Sequence, residues 1–185
     1  MRKIILYPDK ILRQETKELK EVDKVTKKEI MDLKAVLEIG ENAAGLAANQ
    51  IGISKRFFGI KQSNGKVEVY INPKLLKTFG KRVYPKIINK DKEENFLEGC
   101  LSFPALFGTV KRYLEIEVEW QEWKGERFVT RSKKLSGFEA IVWQHESDHL
   151  WGKLFVDYIK KEGGKLYKQV GNEMVEVGIG EVFSK

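Results

Sequence analysis

The chain has two histidines, His145 and His149, four positions apart. Glu146 lies between them in His145-Glu146-Ser147-Asp148-His149, an H-E-x-x-H pattern. On an α-helix, residues i and i+4 stack on one face. Both imidazoles can therefore reach one metal ion at about 2.0–2.1 Å. A glutamate one residue beyond the first ligand can approach a metal-activated water without ligating the metal. Two core histidines on an apolar face would be the plainer explanation, but the spacing and the intervening glutamate favour a metal site. Catalytic sites usually take three protein ligands and leave one position open, and Cys100, the sole cysteine, is the third candidate. It sits in Glu98-Gly99-Cys100-Leu101-Ser102, ahead of Phe103-Pro104. Gly99 lets backbone pass close to a metal, and a metal holds the thiol as thiolate at neutral pH. A third stretch, Gly45-Leu46-Ala47-Ala48-Asn49-Gln50-Ile51-Gly52, places one amide donor, Gln50, among small apolar residues.

The elements that must carry these groups are α and β. Thr26-Lys27-Lys28-Glu29 reads as a capping box, followed by Ile30, Leu33 and Leu37 on one helical face, with Gly40 and Gly45 bracketing the end. Arg56 to Lys61 and Lys66 to Ile71 flank Asn64-Gly65, a hairpin signal. Val67, Val69 and Ile71 alternate with Glu68 and Tyr70, as in a half-buried strand. Leu114, Ile116, Val118 and Trp120 alternate with three glutamates and lead through a turn at Lys124-Gly125 to Phe128-Val129. Residues 79–95, rich in Lys, Asn and Asp, read as a mobile surface loop. A second capping box, Ser136-Gly137-Phe138-Glu139, opens a helix carrying Phe138, Ile141, Val142, His145 and His149 on one face, with Gly152 as its stop. The tail, 164–185, reads as a β-like extension around Gly171-Asn172. The expected class is α+β, with antiparallel sheets wrapped around the H-E-x-x-H helix.

At 185 residues with 42% hydrophobic content, one core and one domain are expected, burying roughly 70% of the unfolded surface. One cysteine cannot form an internal disulfide, which suits a reducing compartment. No apolar run approaches the ~20 residues of a membrane helix, and the start, Met1-Arg2-Lys3-Ile4-Ile5-Leu6-Tyr7-Pro8, is too short in apolar residues for a signal peptide. These features point to a cytoplasmic protein with no membrane partner. The net charge of +7 leaves two readings, a solvated basic surface or a polyanionic partner such as a ribosome. No recognisable nucleic-acid motif accompanies Lys27-Lys28, Lys133-Lys134 or Lys160-Lys161.

Taken together, the three stretches resemble the signature motifs of peptide deformylases, G-x-G-L-A-A-x-Q, E-G-C-L-S and Q-H-E-x-D-H-L. The last is complete as Gln144 to Leu150, and the second as Glu98 to Ser102. The opening Tyr7-Pro8-Asp9-Lys10-Ile11-Leu12-Arg13 is also similar to the family's, and the likeness spans roughly residues 3–159. The resemblance implies hydrolysis of the formyl group from the N-terminal formylmethionine of nascent polypeptides, near the ribosomal exit tunnel. It implies a divalent metal on Cys100, His145 and His149, ferrous iron in the cell with zinc or nickel also able to occupy the site. Glu146 would shuttle the proton, and Gln50 with the Leu101 backbone N–H would stabilise the oxyanion. The methionine pocket would use Phe138, Ile141, Val142, Ala43 and Phe96, and the peptide backbone would run along Ala44, Gly45 and Gly99. Arg112 would pair with Glu98, while Asp148 would orient a partner outside the metal shell.

The sequence also departs from that pattern. Ala43 stands where the family usually has glycine, and Ala105-Leu106-Phe107-Gly108 lacks an arginine found there in many bacterial members. Residues 79–95 look longer than the family's loop, and the tail replaces a C-terminal helix. Two rival readings remain. One is a zinc peptidase drawing its third ligand from Glu162 or Glu173, and the other is a non-enzymatic protein that binds nascent chains or ribosomes through its basic surface.

Overall fold

The computed structural model describes residues 2–40, 42–89 and 92–183. Helix α1 (Lys24–Ile39) precedes strands β1 (Gly45–Ala47), β2 (Phe57–Lys61) and β3 (Val67–Phe79). Next come β4 (Lys86–Asn89), β5 (Lys92–Asn95), β6 (Glu98–Cys100) and β7 (Phe103–Gly108), then the long pair β8 (Glu115–Lys124) and β9 (Arg127–Ser136). Helices α2 (Gly137–Leu150) and α3 (Phe155–Glu162) follow, and β10 (Leu166–Val170), β11 (Glu173–Val177) and α4 (Ile179–Phe183) end the chain. One antiparallel sheet has the order β1-β2-β3-β8-β9, and a second has the order β11-β10-β7-β6.

Both faces of the first sheet are covered at its β1–β3 end. Consecutive residues of β2 show why: Phe57 packs with Leu33 and Leu37 of α1, and Phe58 points the other way, toward Trp143 of α2. Tyr70 follows the same rule. The alternation expected along β3 is present, but the Tyr70 face meets α2 and Trp120 rather than solvent. A third core joins the second sheet to α3 through Phe103, Leu106, Phe155, Ile159 and Leu166. Helix α2 is therefore buried nearly all round, and the groups it carries lie at the centre of the molecule.

Several local expectations change. Helix α1 starts at Lys24, capped by Asp23, whose carboxylate accepts the Thr26 N–H at 2.7 Å. Thr26 and Glu29 instead both hold the Lys55 ammonium, each at 2.7 Å. The pairing Lys61↔Val67 leaves a five-residue loop, so Asn64-Gly65 lies inside a longer turn rather than forming a two-residue one. The second hairpin is tight: Lys124↔Arg127 leaves Gly125 and Glu126, both at positive φ, which matches the strand twist. Ser136 precedes α2 as expected, but its side chain caps nothing and Glu139 pairs with Lys133. The cause is continuity. Ser136 is still paired with Glu115 in β9, so strand runs directly into helix.

The stretch 79–95 contains the end of β3 and the β4–β5 hairpin, in register from Lys86↔Asn95 to Asn89↔Lys92. Its charged strands lack the period-two apolar pattern that marks a strand in sequence. Residues 90 and 91 lie outside the described residues. The tail is β-like around Gly171-Asn172, as expected, and β10 extends the second sheet by pairing with β7. It closes with the short helix α4, which the sequence reading missed, as it missed α3.

The last turn of α2 is tied down by side chains from elsewhere. Asn49 Nδ2 donates to the His149 carbonyl at 2.6 Å, and Thr16 Oγ1 to the Leu150 carbonyl at 3.0 Å. Those carbonyls lie at a helix end and need such partners. We expect Asn49→Ala to lower unfolding stability by about 1–2 kcal/mol, read as a shifted denaturant midpoint in the metal-free protein. An unchanged midpoint would show that the tie contributes nothing.

Candidate active site

Helix α2 supplies His145, Glu146 and His149, β6 supplies Glu98 and Cys100, and the 3₁₀ turn Ala48–Ile51 supplies Gln50. One ligand atom each from Cys100, His145 and His149 lies within 4.8 Å of the others, the one such group found among the described residues. Cys100 Sγ is 3.2 Å from His149 Nε2. A soft thiolate with two imidazoles suits a tetrahedral divalent ion. Buried atoms without a hydrogen-bond partner among the described residues include Glu146 Oε2 and His149 Nδ1. An unpartnered carboxylate oxygen beside three convergent donors fits a site built to hold a metal and a water.

The orientation of His145 is fixed from behind. Its Nδ1 lies 2.5 Å from Glu98 Oε1, leaving Nε2 for the ligand position. Glu98 takes two hydrogen bonds from Arg112, from Nη2 at 2.6 Å and Nε at 3.0 Å. Arg112 Nη1 also donates to Asp148 at 2.6 Å, and the other Asp148 oxygen accepts from the Tyr158 hydroxyl at 2.9 Å. Burial alone would raise the Glu98 carboxyl, but the Arg112 charge and the His145 contact outweigh it and hold the group down at about 2. Glu146 goes the opposite way. Burial, against weaker attraction from His145, pushes it up to about 7. In the metal-free site burial would depress His145, but bonding to Cys100 and Glu98 raises it, whereas burial and the charge of His145 lower His149.

Gly45 and Glu146 are matched in shape. A Cβ at Gly45 would stand 2.5 Å from Glu146 Oε1, so the carboxylate rests on bare backbone. Gln50 is pinned at its oxygen, which accepts the Ala47 N–H at 2.8 Å, and its Nε2 lies 3.2 Å from Ser102 Oγ and 3.4 Å from Cys100 Sγ.

A cavity of about 460 Å³ opens beside these groups. Ala43, Ala44 and Gly45 form one wall, Gly99 and Leu101 another. Ile141 and Val142 line its floor one turn before His145. At the mouth, Phe96 and Phe138 meet edge to face at 5.8 Å, with Phe138 largely exposed. The cavity lining includes every residue singled out for chemistry or substrate contact except His149, which stands behind it with Nε2 3.2 Å from Cys100 Sγ. Glu162 and Glu173 do not join them: Glu162 pairs with Arg82 at 2.7 Å, and Glu173 is exposed at the start of β11.

Some contributors had no local signal. The Tyr158 ring is approached by the guanidinium groups of Arg82 and Arg112, at 5.0 and 4.9 Å from its centre. Gln144, quoted above only as part of a motif, clamps the Tyr113 backbone, accepting its N–H at 3.2 Å and donating to its carbonyl at 2.8 Å.

The family model for polypeptide deformylase matches residues 1–165. A peptide deformylase of Thermotoga neapolitana is 36% identical over 160 residues, covering 86% of this chain and 88% of the relative. One of Chlorobium phaeobacteroides is 36% identical over 188 residues, covering 97% and 88%. The crystal structure of the Thermotoga maritima peptide deformylase superposes with a TM-score of 0.72 at 34% identity, covering 85% of this chain and 97% of that one. With a Cys/His/His group able to hold a metal at its centre, the chain belongs to the peptide deformylase family, metal-dependent hydrolases that remove the N-formyl group from nascent polypeptides.

Proposed function

We propose that Cys100, His145 and His149 hold one divalent ion and that Glu146 carries the proton in deformylation. The observation that carries this reading is the buried Glu146 carboxylate set against Gly45, beside the three convergent donors. A bound ion would supply Lewis acidity and bring the pKa of a water close to neutrality. As the water oxygen attacks the formyl carbon, Glu146 takes its proton. When the C–N bond breaks, Glu146 delivers that proton to the leaving amine, and formate departs. Gln50 Nε2 and the Leu101 backbone N–H donate to the oxygen that gains negative charge.

The methionine side chain occupies the apolar space of Ile141, Val142, Phe138, Phe96 and Ala43. The peptide backbone runs extended between Ala44-Gly45 and Gly99. Support comes from topology: β1 and β6 each end their sheets, so both offer unpaired backbone groups to an added strand. We take Fe²⁺ as the ion in the cell, with Zn²⁺ or Ni²⁺ able to replace it. A thiolate beside iron oxidises readily, so activity lost in air and kept with nickel would fit. The cytoplasm is the proposed location. The net charge of +7 favours work beside the ribosomal exit tunnel, without sequence-specific nucleic-acid binding or a membrane partner.

The direct test is formate release from formyl-Met-Ala-Ser by protein prepared anaerobically with Fe²⁺ or Ni²⁺. Metal-dependent release is expected, and Glu146→Ala should lose about 10²–10⁴-fold in kcat while keeping its metal. Retained turnover in that variant would remove Glu146 from the mechanism. Gly45→Ala should displace the Glu146 carboxylate and cost on the order of 10²-fold in kcat with metal content unchanged, as followed by steady-state kinetics and metal analysis. Glu98→Gln should weaken metal affinity by about 10–100-fold, as measured by chelator competition. An unaltered affinity would contradict the role given to Glu98.

A further inference from the structure

We propose that Phe107 is a specificity-determining residue, selecting formyl peptides that carry an apolar side chain at the second or third position. This rests on the deformylase reading of the site and names the substrate class it favours. The backbone provides the first observation. Cys100 pairs with Phe103, but the next pair is Gly99↔Phe107, so β7 advances four residues while β6 advances one. Pro104, Ala105 and Leu106 form the bulge, and Ala105 adopts a φ of +58°, unfavourable for a residue with a Cβ. Bulges beside active sites re-aim side chains. Here both residues border the cavity, but Leu106 is buried in the third core while Phe107 is half-buried.

The second observation is the seat of the ring. A Cβ at Gly99 would stand 2.7 Å from Phe107 Cε1 and 2.8 Å from Cδ1. The aromatic ring therefore lies directly over the Gly99 backbone, next to Cys100 and on the edge strand along which the peptide is placed. A substrate extending past its methionine along β6 must meet this ring.

The third observation is charge. Among the described residues, the cavity lining includes no lysine or arginine. The charged groups at its wall are Glu98, already neutralised by Arg112, and Glu146. Phe96, Pro104 and Phe138 extend the apolar rim. An aspartate or glutamate arriving at Phe107 would shed water with no cation to receive it. A leucine or phenylalanine would bury apolar surface there.

The experiment compares formyl-Met-X-Y peptides in which X and Y are in turn Ala, Leu, Phe, Asp and Lys. Wild-type, Phe107→Ala and Phe107→Arg proteins are loaded with Ni²⁺, and calorimetry on Glu146→Gln reads the binding of the same peptides without turnover. At one of the two positions, Leu and Phe should exceed Asp by on the order of ten-fold in kcat/KM, the difference residing in KM and repeated in the calorimetric affinities. The ratio should shrink toward one in Phe107→Ala and favour Asp in Phe107→Arg. Equal values across the panel in the wild type, or a preference that survives Phe107→Ala, would overturn the proposal. If no peptide released formate, the deformylase reading would fail, and the calorimetric order would still decide the role of Phe107.

Discussion

The contact between Arg112 and Glu98 is the interaction on which the rest of the site depends. Both side chains are almost wholly buried, and a charge in such surroundings is tolerated only when paired and hydrogen-bonded. Arg112 satisfies this with two bonds to Glu98 and one to Asp148. Glu98, held ionised, then fixes the Nδ1 side of His145. Asp148, on the same helix as His145, is fixed at its other oxygen by Tyr158. One guanidinium thus couples the strand that bears Cys100, the helix that bears both histidines, and α3. Removing either partner of such a buried pair costs about 3–5 kcal/mol, so the arrangement is rigid by necessity.

That rigidity is set against two open edges. The sheets end at β1 and β6, which flank the cavity. Each edge brings a glycine to the critical place: Gly45 leaves room for the Glu146 carboxylate, and Gly99 for the Phe107 ring. The protein therefore combines a pre-set metal cradle with a wall able to accept an extended chain. Helix α2 carries His145, Glu146 and His149 together with Ile141 and Val142 of the cavity floor, while β6 brings Cys100 and the 3₁₀ turn brings Gln50.

How much of this could be read from the sequence depended on whether the signal was local. The H-E-x-x-H helix was legible because helical periodicity, the histidine spacing and a terminal glycine agree, although the capping box read at Ser136 does not form. Cys100 and Gln50 were legible only through motif, since nothing local shows that β6 and a 3₁₀ turn converge on α2. The Asn64-Gly65 turn misled because strand register, not dipeptide preference, fixed the loop length. The cap of α1 was misplaced because Thr26 and Glu29 serve Lys55, a partner 29 and 26 residues away in sequence. The β4–β5 hairpin has charged strands and little apolar periodicity. Tyr158 owes its place to contacts with distant arginines, and no local pattern encodes those.

The central claim is that one thiolate and two imidazoles, held by this charge network, form the metal site. X-ray absorption spectroscopy of the zinc-loaded protein tests it most directly. The account predicts one sulfur at about 2.3 Å and two nitrogens at about 2.0–2.1 Å, completed by a light oxygen scatterer. A spectrum without sulfur, or one fitted by carboxylate oxygens in place of the two nitrogens, would contradict it.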